Sequence, residues 1–400
     1  MPPSHQPLLR PMRPRRRDEP HRVATSLELF FDLCFVVAVS QAGRELAGTL
    51  AEGHHAGTAV LRYALAFFAL WWAWMNFTWF ASAYDCDDVP YRLTTLVQIT
   101  GALIFAAGIP RLFADADFAV TIAGYVVMRL AQVTQWLRAA RGERGEARRM
   151  ARSYALGIAL VQAGWVVLLF LPKAAVNWCL PIGALAELAV PALAERRVRS
   201  PWHPHHIAER YGLFTLIVLG ETVSAATIAV QSAVDEHEAV HELIPIAVGG
   251  LLVCFAAWWI YFATPIHQHL RGNRQAFLWG YGHYLVFGSA AAIGAGLEVA
   301  VEHAVGKAHL SAAASAASVT VPTALYLATV WLLHSRHSKT GAAQWVLPGT
   351  AVLVLACTAL GDAGVLTAGL LLAAAVALGL LLAARSPEPA RPSVPDASID

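Results

Sequence analysis

The chain has 400 residues, of which 57% are hydrophobic and 14% charged, and its formal net charge is +2. Soluble domains carry about 25% charged residues, so this composition, with a mean hydropathy of +0.51, excludes an ordinary soluble protein. The five cysteines lie apart without a CxxC pair, so neither a disulfide framework nor a cysteine-based zinc site is expected.

The chain is divided into apolar runs of about twenty residues, the length that crosses a bilayer as an α-helix. We therefore predict an all-α, polytopic transmembrane bundle. About twelve spans are expected, at residues 25–47, 57–83, 92–114, 117–138, 153–172, 174–194, 208–232, 240–264, 276–298, 309–334, 343–361 and 363–384. They form one transmembrane domain, 25–384, between a disordered basic cytoplasmic N-terminus, 1–24, and a disordered Pro/Ser-rich tail, 385–400.

Lysine and arginine concentrate in alternate loops. With a cytoplasmic N-terminus, the segments assigned inside hold about twenty-one of the 29 Lys and Arg residues, which predicts that both termini are cytoplasmic. Six plus six spans also suggest two parallel halves, 25–195 and 205–384, related by an axis along the membrane normal. In that alignment Glu28 matches Glu209 and Phe30 matches Tyr211.

Residues 206–221, HIAERYGLFTLIVLGE, carry charges straight into an apolar span. Side chains three and four residues apart share a helix face, so His206, Glu209 and Arg210 line one stripe. Glu221 follows Arg210 by eleven residues and returns to within roughly 20° of that stripe. A charge at the bilayer centre costs at least about 2.5–3.5 kcal/mol, so we expect these groups to face one another or a wet cavity.

The first span carries two acids, Glu28 and Asp32, at positions i and i+4 on one helix face. Two carboxylates so close repel unless a cation, a proton or an arginine lies between them, and such a pair suits proton or cation handling. Glu28 alone also fits an acid placed at a helix N-terminus. On the fourth span Arg129 stays protonated and needs an acid partner, for which Asp32 and Glu221 are candidates.

The segments LELFFDLCFVVAVSQ and HHIAERYGLFTLIVLGET together resemble the bacterial low-temperature-requirement A (LtrA) family, from about residue 20 to 385. The positions that carry the resemblance are Glu28, Phe31, Asp32, His206, Glu209, Arg210, Gly220 and Glu221. It implies a multi-pass protein of the bacterial inner (plasma) membrane, in a family named for growth in the cold, and implies no particular reaction. The first segment is also similar to the LExFSDxVFAI opening of a family of bacterial and lysosomal potassium channels, where Ser stands in place of Phe31.

Other polar groups allow further interpretations. The run from Trp202 to His206, with Glu209, resembles a metal-ligand cluster, but Pro204 breaks the helix and turns His203 away, so no metal is predicted. Arg92 beside the acidic loop at 85–88 suggests a cytoplasmic gate or a solvated turn. His283 is interpreted as a hydrogen-bonded packing residue. Four glycines of the ninth span indicate close helix packing, at Gly282, Gly288, Gly294 and Gly296.

The first functional hypothesis is a transporter or channel for an unidentified small solute or cation, coupled to protons or cations. Its predicted binding and coupling residues are Glu28, Asp32, Arg129, His206, Glu209, Arg210 and Glu221. The alternative is a membrane-embedded enzyme that acts on a lipid-linked or anionic substrate from the cytoplasmic face, with His206 and Glu209 as acid/base groups or metal ligands. A third hypothesis is a structural protein whose charges are buried pairs.

No catalytic residue and no cofactor is predicted, since P-loop, GxSxG, HExxH and dinucleotide fingerprints are all missing from the sequence. The predicted partners are the lipid bilayer and the small solute. No nucleic-acid-binding face is visible, and a homo-oligomer is left open.

Overall fold

The computed structural model describes residues 9–16, 19, 22–235, 240–264, 266, 270, 272–336, 339 and 341–384. The described chain is helical and contains no strand. Its α-helices are α1 (Ser26–Ala51), α2 (Ala56–Tyr84), α3 (Val89–Asp115), α4 (Ala119–Gly142), α5 (Gly145–Leu168), α6 (Lys173–Ala194), α7 (Pro204–Asp235), α8 (Val240–Phe262), α9 (Asn273–Ala304), α10 (Ala312–Val330), α11 (Val346–Ala356) and α12 (Gly364–Ala384). The tail predicted at 385–400 lies outside the described residues.

Nine stretches of the described chain are long and apolar enough to cross a bilayer, with α11 and α12 counted as one. The protein is therefore a multi-pass membrane protein whose outer helix faces contact lipid. Helices α4 and α7 lie outside this set. Helix α4 carries Arg129, Gln132 and Gln135 within its apolar run, and these polar residues lower its mean hydropathy. The all-α bundle is confirmed, and the number of about twelve spans stays a prediction.

The last two helices are separated by a tight change of direction. Helix α11 passes into a 3-10 turn, Cys357–Ala363, in which Gly361 has a φ of 55°. A positive φ is adopted readily by glycine because it has no Cβ, so the chain turns here and α12 begins at Gly364. Helix α10 ends in a π-helical turn, Trp331–Ser335.

Helix α2 lies at the centre of a group of five helices. Every residue from Leu70 to Tyr84 is buried, because α1, α3, α4, α7 and α9 all pack around it. A helix that is apolar on all sides is typical of such a central position. Side chains on opposite faces of α2 can therefore take part in two separate interior sites.

Close helix packing at the ninth-span glycines is confirmed. A Cβ on Gly296 would lie 2.1 Å from the carbonyl oxygen of Ser318 on α10, and a Cβ on Gly282 would lie 2.7 Å from Leu333. Gly288 and Gly294 face Phe67 and Thr222 at 3.3 and 3.0 Å. Any larger residue at Gly296 would push α9 and α10 apart.

The described part of the N-terminal segment packs on one end of the bundle, where the sequence predicted disorder for 1–24. The Arg15 amide donates to the carbonyl oxygen of Ala83 at 2.9 Å, and Met12 is 3% exposed against the end of α4. These contacts come from the buried Met12 and from backbone hydrogen bonds, neither of which a Pro- and Arg-rich composition reveals, and the disorder of 1–24 stays a prediction. This end also holds the 85–88 loop and the start of α7.

Candidate functional site

Glu28 and Asp32 lie on the interior face of α1. Thr25 caps the helix, and its amide donates to Glu28 Oε2 at 2.8 Å while its hydroxyl accepts from the Glu28 amide, which is a capping box. Both carboxylates are fully buried, whereas Phe30 and Leu33 on the other face are about half exposed. Glu28 is thus both the helix-start acid and a member of an interior cluster.

Arg210 of α7 connects the two carboxylates. Its Nη1 lies 2.8 Å from Glu28 Oε1, and its Nη2 lies 2.5 Å from Asp32 Oδ1. One helical turn before it, His206 Nε2 lies 3.2 Å from Glu28 Oε1. All four side chains are 0% exposed. The structure therefore brings together four of the predicted site residues, from helices α1 and α7.

Trp74 of α2 is a fifth member that the sequence did not identify. Its indole Nε1 donates to Asp32 Oδ1 at 2.7 Å, and its ring stacks on Phe214 of α7 with centroids 4.4 Å apart. A buried indole N–H usually finds an acceptor, so a tryptophan facing a predicted acidic helix was the available signal. We call Glu28, Asp32, Trp74, His206 and Arg210 the acid–arginine centre.

The acid–arginine centre contains two carboxylates and one guanidinium. With both acids ionised and His206 neutral, its net charge is −1. Within the described chain, Asp32 Oδ2, Arg210 Nε and His206 Nδ1 have no hydrogen-bond partner. A buried charge is stabilised when it is paired, so the arrangement favours one additional positive charge: a proton on a carboxylate or on His206, or a bound cation.

Arg22 and Asp85 lie next to the centre, at the end of the bundle where the N-terminal segment packs. Arg22 is 4% exposed and donates to the carbonyl oxygens of Ser82 and Ala81, the second at 2.6 Å. Its Nη2 lies 3.9 Å from Asp85 Oδ2. Burial raises the pKa of Asp85 to about 6, and the charge of Glu28 adds to this rise while Arg22 opposes it.

Arg92 lies beside the acidic loop at 85–88, for which the sequence left open a cytoplasmic gate or a solvated turn. Arg92 binds Asp87, with Nε 2.7 Å from Oδ1, and both side chains are more than 40% exposed. Asp88 accepts instead from Arg138 at 2.7 Å and from the amide of Arg10 at 2.8 Å. The Arg92 pair is therefore a solvated surface contact, while Asp85 faces inward.

Arg129 has a different partner from the two that the sequence suggested. Its Nη2 lies 2.9 Å from Oε2 of Glu187 on α6, so the prediction of Asp32 or Glu221 as its acid was wrong. The reason is connectivity: α4, α5 and α6 pack side by side, which brings Glu187 to Arg129. Glu187 also accepts hydrogen bonds from Trp72, Tyr125, Gln162 and Trp165, at 2.9, 2.8, 2.9 and 3.3 Å.

Glu209 and Glu221 do not join the acid–arginine centre. Glu209 Oε1 accepts from the amide of Ala24 at 3.4 Å, at the outer edge of the site. Glu221 is half-buried farther along α7, about 16 Å from Arg210 at 1.5 Å per residue. Residues on one helix face can still lie far apart along the helix axis. Of the residues predicted to share this face, only His206 and Arg210 therefore belong to the acid–arginine centre.

The metal-ligand cluster suggested at the start of α7 is not formed by His206 and Glu209. His206 faces Glu28, whereas Glu209, three residues on, binds the backbone of Ala24, so the two share no common ligand position. Among the residues that the structure describes, no group of three His, Cys, Asp or Glu could hold a metal ion. His283 Nε2 lies 2.9 Å from the Tyr261 hydroxyl and its Nδ1 lies 2.8 Å from the Trp279 carbonyl oxygen, which agrees with a hydrogen-bonded packing residue.

Residues 23–384, nearly the whole chain, match the family described as bacterial low temperature requirement A protein (LtrA). The chain belongs to the LtrA family. It is also similar to an uncharacterized protein, RA0937, of Rhizobium meliloti (strain 1021), with 26% identity over 310 residues, which is 72% of each protein. No solved structure matches the chain significantly.

The two segments that carry the LtrA resemblance meet in space. The first supplies Glu28 and Asp32, the second supplies His206 and Arg210, and the ion pairs described above join them. In this LtrA-family chain, both motifs therefore contribute side chains to one buried centre. The centre lies where three helices, α1, α2 and α7, pack together.

Proposed function

We propose that the chain is a transporter or channel for a small solute or cation, and that the acid–arginine centre is its ion-coupling site. The observation that carries this proposal is the charge count: two fully buried carboxylates face one buried guanidinium. A pair with one charge of each sign, such as Arg129–Glu187, is neutral without any further ion. The excess negative charge is balanced in our proposal by an exchangeable proton or cation.

Asp32 is the acid that exchanges its positive partner. Oδ1 of Asp32 is held by Arg210 and Trp74, while Oδ2 has no hydrogen-bond partner among the described residues. Glu28, by contrast, is held by the capping box as well as by Arg210 and His206. A proton or cation at Oδ2 weakens the Asp32–Arg210 pair and thereby couples occupancy to the packing of α1 on α7.

The remaining predicted residues take subsidiary roles. The Arg129–Glu187 pair has one charge of each sign and four further donors, which supports a structural role in joining α2, α4, α5 and α6. Glu209, at the edge of the centre, and half-buried Glu221, farther along α7, are proposed to line the path on either side. Transport requires the centre to open, since its side chains are 0% exposed in this structure.

We further propose about twelve spans in the bacterial inner membrane, in two parallel halves, with both termini cytoplasmic. Helix α1 packs on α2 and α3 as α7 packs on α8 and α9, and α3 packs on α4 as α9 packs on α10. These matching contacts support the halves. The end of the bundle that holds Arg22, Arg138 and Arg148 is rich in arginine, which supports its cytoplasmic assignment.

The test is flux through the purified protein in liposomes. Proton, Na⁺ and K⁺ gradients are imposed on the wild type, on Asp32→Asn and on the matched control Asp87→Asn, which alters a half-exposed loop acid. We expect flux in the wild type and the control, and a fall of roughly ten-fold or more in Asp32→Asn, equivalent to about 1.4 kcal/mol. Flux absent under every gradient, or unchanged in Asp32→Asn, contradicts the proposal.

A further inference from the structure

A cavity of about 460 Å³ lies between α1, α2, α9 and α10, away from the acid–arginine centre. Its lining includes Leu46 of α1, Phe67 of α2, Ala292 of α9 and Ala317 of α10. Leu46 follows Asp32 by fourteen residues on α1, so the cavity lies about 21 Å along the helix from that acid. Its lining contains no residue of the acid–arginine centre.

The hydroxyl groups that line the cavity are already engaged by backbone carbonyls. The donations run from Tyr63 to Gly288 (2.8 Å), from Tyr284 to Ala64 (2.9 Å), from Ser289 to Leu285 (2.5 Å) and from Ser318 to Gly296 (3.0 Å). The rest of the lining is mainly aliphatic or aromatic. A polar ligand would lose its hydrogen bonds to water here without replacement, whereas hydrocarbon loses none.

The cavity opens sideways at the level of the spans. Val60 on α2 and both Val321 and Leu325 on α10 line it and are also 53%, 50% and 42% exposed. Each belongs to a helix that is long and apolar enough to cross the bilayer. Apolar side chains exposed at that depth face acyl chains, so the opening between α2 and α10 is continuous with the hydrocarbon of the bilayer.

We propose that this cavity binds one acyl chain of a bilayer phospholipid, which enters between α2 and α10. Its volume lies within the roughly 300–1,000 Å³ of ordinary ligand pockets, which are mainly apolar. Gly288 and Ala292 are the small residues that α9 contributes to the lining. A Cβ added to Gly288 would lie 3.3 Å from the ring of Phe67. The bound chain fills space that the side chains of four helices leave open.

The test uses photocrosslinking in reconstituted vesicles. The full chain is placed in phosphatidylethanolamine and phosphatidylglycerol vesicles that contain a trace of phospholipid with a diazirine near the end of its acyl chain. After illumination, labelled peptides are identified by mass spectrometry. We expect labelling of α9 around Gly288 and Ala292, in addition to the lipid-facing surfaces.

Two variants fill the cavity, and one serves as the control. Ala317→Trp places a large side chain inside it, and Ala314→Phe is a milder change at an exposed lining position. Val352→Trp alters a 66% exposed position of α11 that is not part of the lining. We expect the filling variants to lower α9 labelling by roughly ten-fold, equivalent to about 1.4 kcal/mol, and the control to leave it unchanged.

Each remaining outcome overturns the proposal. Labelling confined to outward-facing positions, or α9 labelling that survives both filling variants, shows contact with surrounding lipid only. Labelling by an isoprenoid probe but not by the phospholipid assigns the cavity to another lipid class. If Ala317→Trp fails to fold, as judged by its melting temperature, Ala314→Phe decides.

Discussion

Trp72 and Trp74 lie two residues apart on α2 and donate their indole N–H groups to different buried carboxylates, Glu187 and Asp32. Residues two apart on a helix point about 200° from one another, so one helix serves two interior charge clusters. On one side the Arg129–Glu187 pair is balanced in charge. On the other side two acids share Arg210. We regard the first as structural and the second as functional.

Replacing each tryptophan by phenylalanine should separate these roles. Trp74→Phe removes one of the two donors to Asp32, so we expect slower flux. We also expect the free energy of unfolding to fall by about 1.5–3 kcal/mol, the usual contribution of a hydrogen bond to a charged group. Trp72→Phe leaves Glu187 four other donors, so flux should persist and the loss should be smaller. Liposome flux and melting temperature in detergent provide the measurements. Equal effects of the two changes on flux would refute the assignment.

The Arg129–Glu187 pair should behave as a buried structural ion pair. Glu187→Gln leaves the guanidinium without its counter-charge and should destabilise the protein by about 3–5 kcal/mol. The double change with Arg129→Gln removes both charges and should recover much of this loss. Unfolding free energies in detergent test it, with Arg92→Gln as the surface control, for which a change below about 0.5 kcal/mol is expected. A double variant whose unfolding free energy is no higher than that of Glu187→Gln would contradict the pairing.

The acid–arginine centre should respond asymmetrically to charge removal. Arg210→Gln leaves two buried carboxylates unpaired and should lower stability by about 3–5 kcal/mol or more. Asp32→Asn instead leaves one acid and one guanidinium, so the protein should fold normally while coupled flux falls by roughly ten-fold or more. Folded yield and melting temperature report the first effect, and flux reports the second. A larger loss of stability in Asp32→Asn than in Arg210→Gln would show that the charge count is wrong.

Asp85 should make stability depend on pH. Its pKa is raised from 3.8 to about 6 by burial first and then by the charge of Glu28, so the folded state holds this proton more tightly than the unfolded state. The contribution of Asp85 to the free energy of unfolding is complete below about pH 4. It declines as the pH rises through 6, by up to about 3 kcal/mol in total. Asp85→Asn should therefore remove that decline and be the more stable form at pH 7.5.

Melting temperatures between pH 4.5 and 7.5 measure this effect as a difference between variant and wild type. Asp87→Asn, on the same loop but half exposed, is the matched control and should keep the wild-type slope. A slope that persists in Asp85→Asn assigns the titration to another group.

The fold class followed from the lengths of the apolar runs, and the expectation of a buried cluster of charges followed from the cost of burying charge. Glu28, Asp32 and Arg210 stand in apolar spans, so each was expected to meet an opposite charge, and the structure pairs them with one another. Most predicted spans lie within a few residues of a helix, because a helix that crosses a bilayer needs about twenty apolar residues, while their number stays a prediction. The length of an apolar run and the presence of a charge within it are properties of local composition, which the sequence displays.

What the sequence did not predict depends on how helices pack. Trp74 lies in a run of aromatic residues, where nothing in the sequence marks it as a hydrogen-bond donor to Asp32. Arg129 pairs with Glu187 because of which helices are neighbours. Glu221 shared a stripe with Arg210 but lies too far along the axis to reach it. Which helices are neighbours, and how far along its axis each residue lies from its partner, depend on tertiary packing. Helical periodicity alone could not predict either.

The central claim is that Asp32 exchanges a proton or a cation, and infrared difference spectroscopy of the protein in lipid tests it most directly. Spectra are recorded while pH is raised and while Na⁺ or K⁺ is added, for the wild type, Asp32→Asn and Asp87→Asn. Our account predicts a carboxylic acid C=O band that converts to carboxylate in the wild type and in Asp87→Asn and is missing from Asp32→Asn. An identical band change in Asp32→Asn, or a wild-type centre that responds to neither pH nor cation, would contradict it.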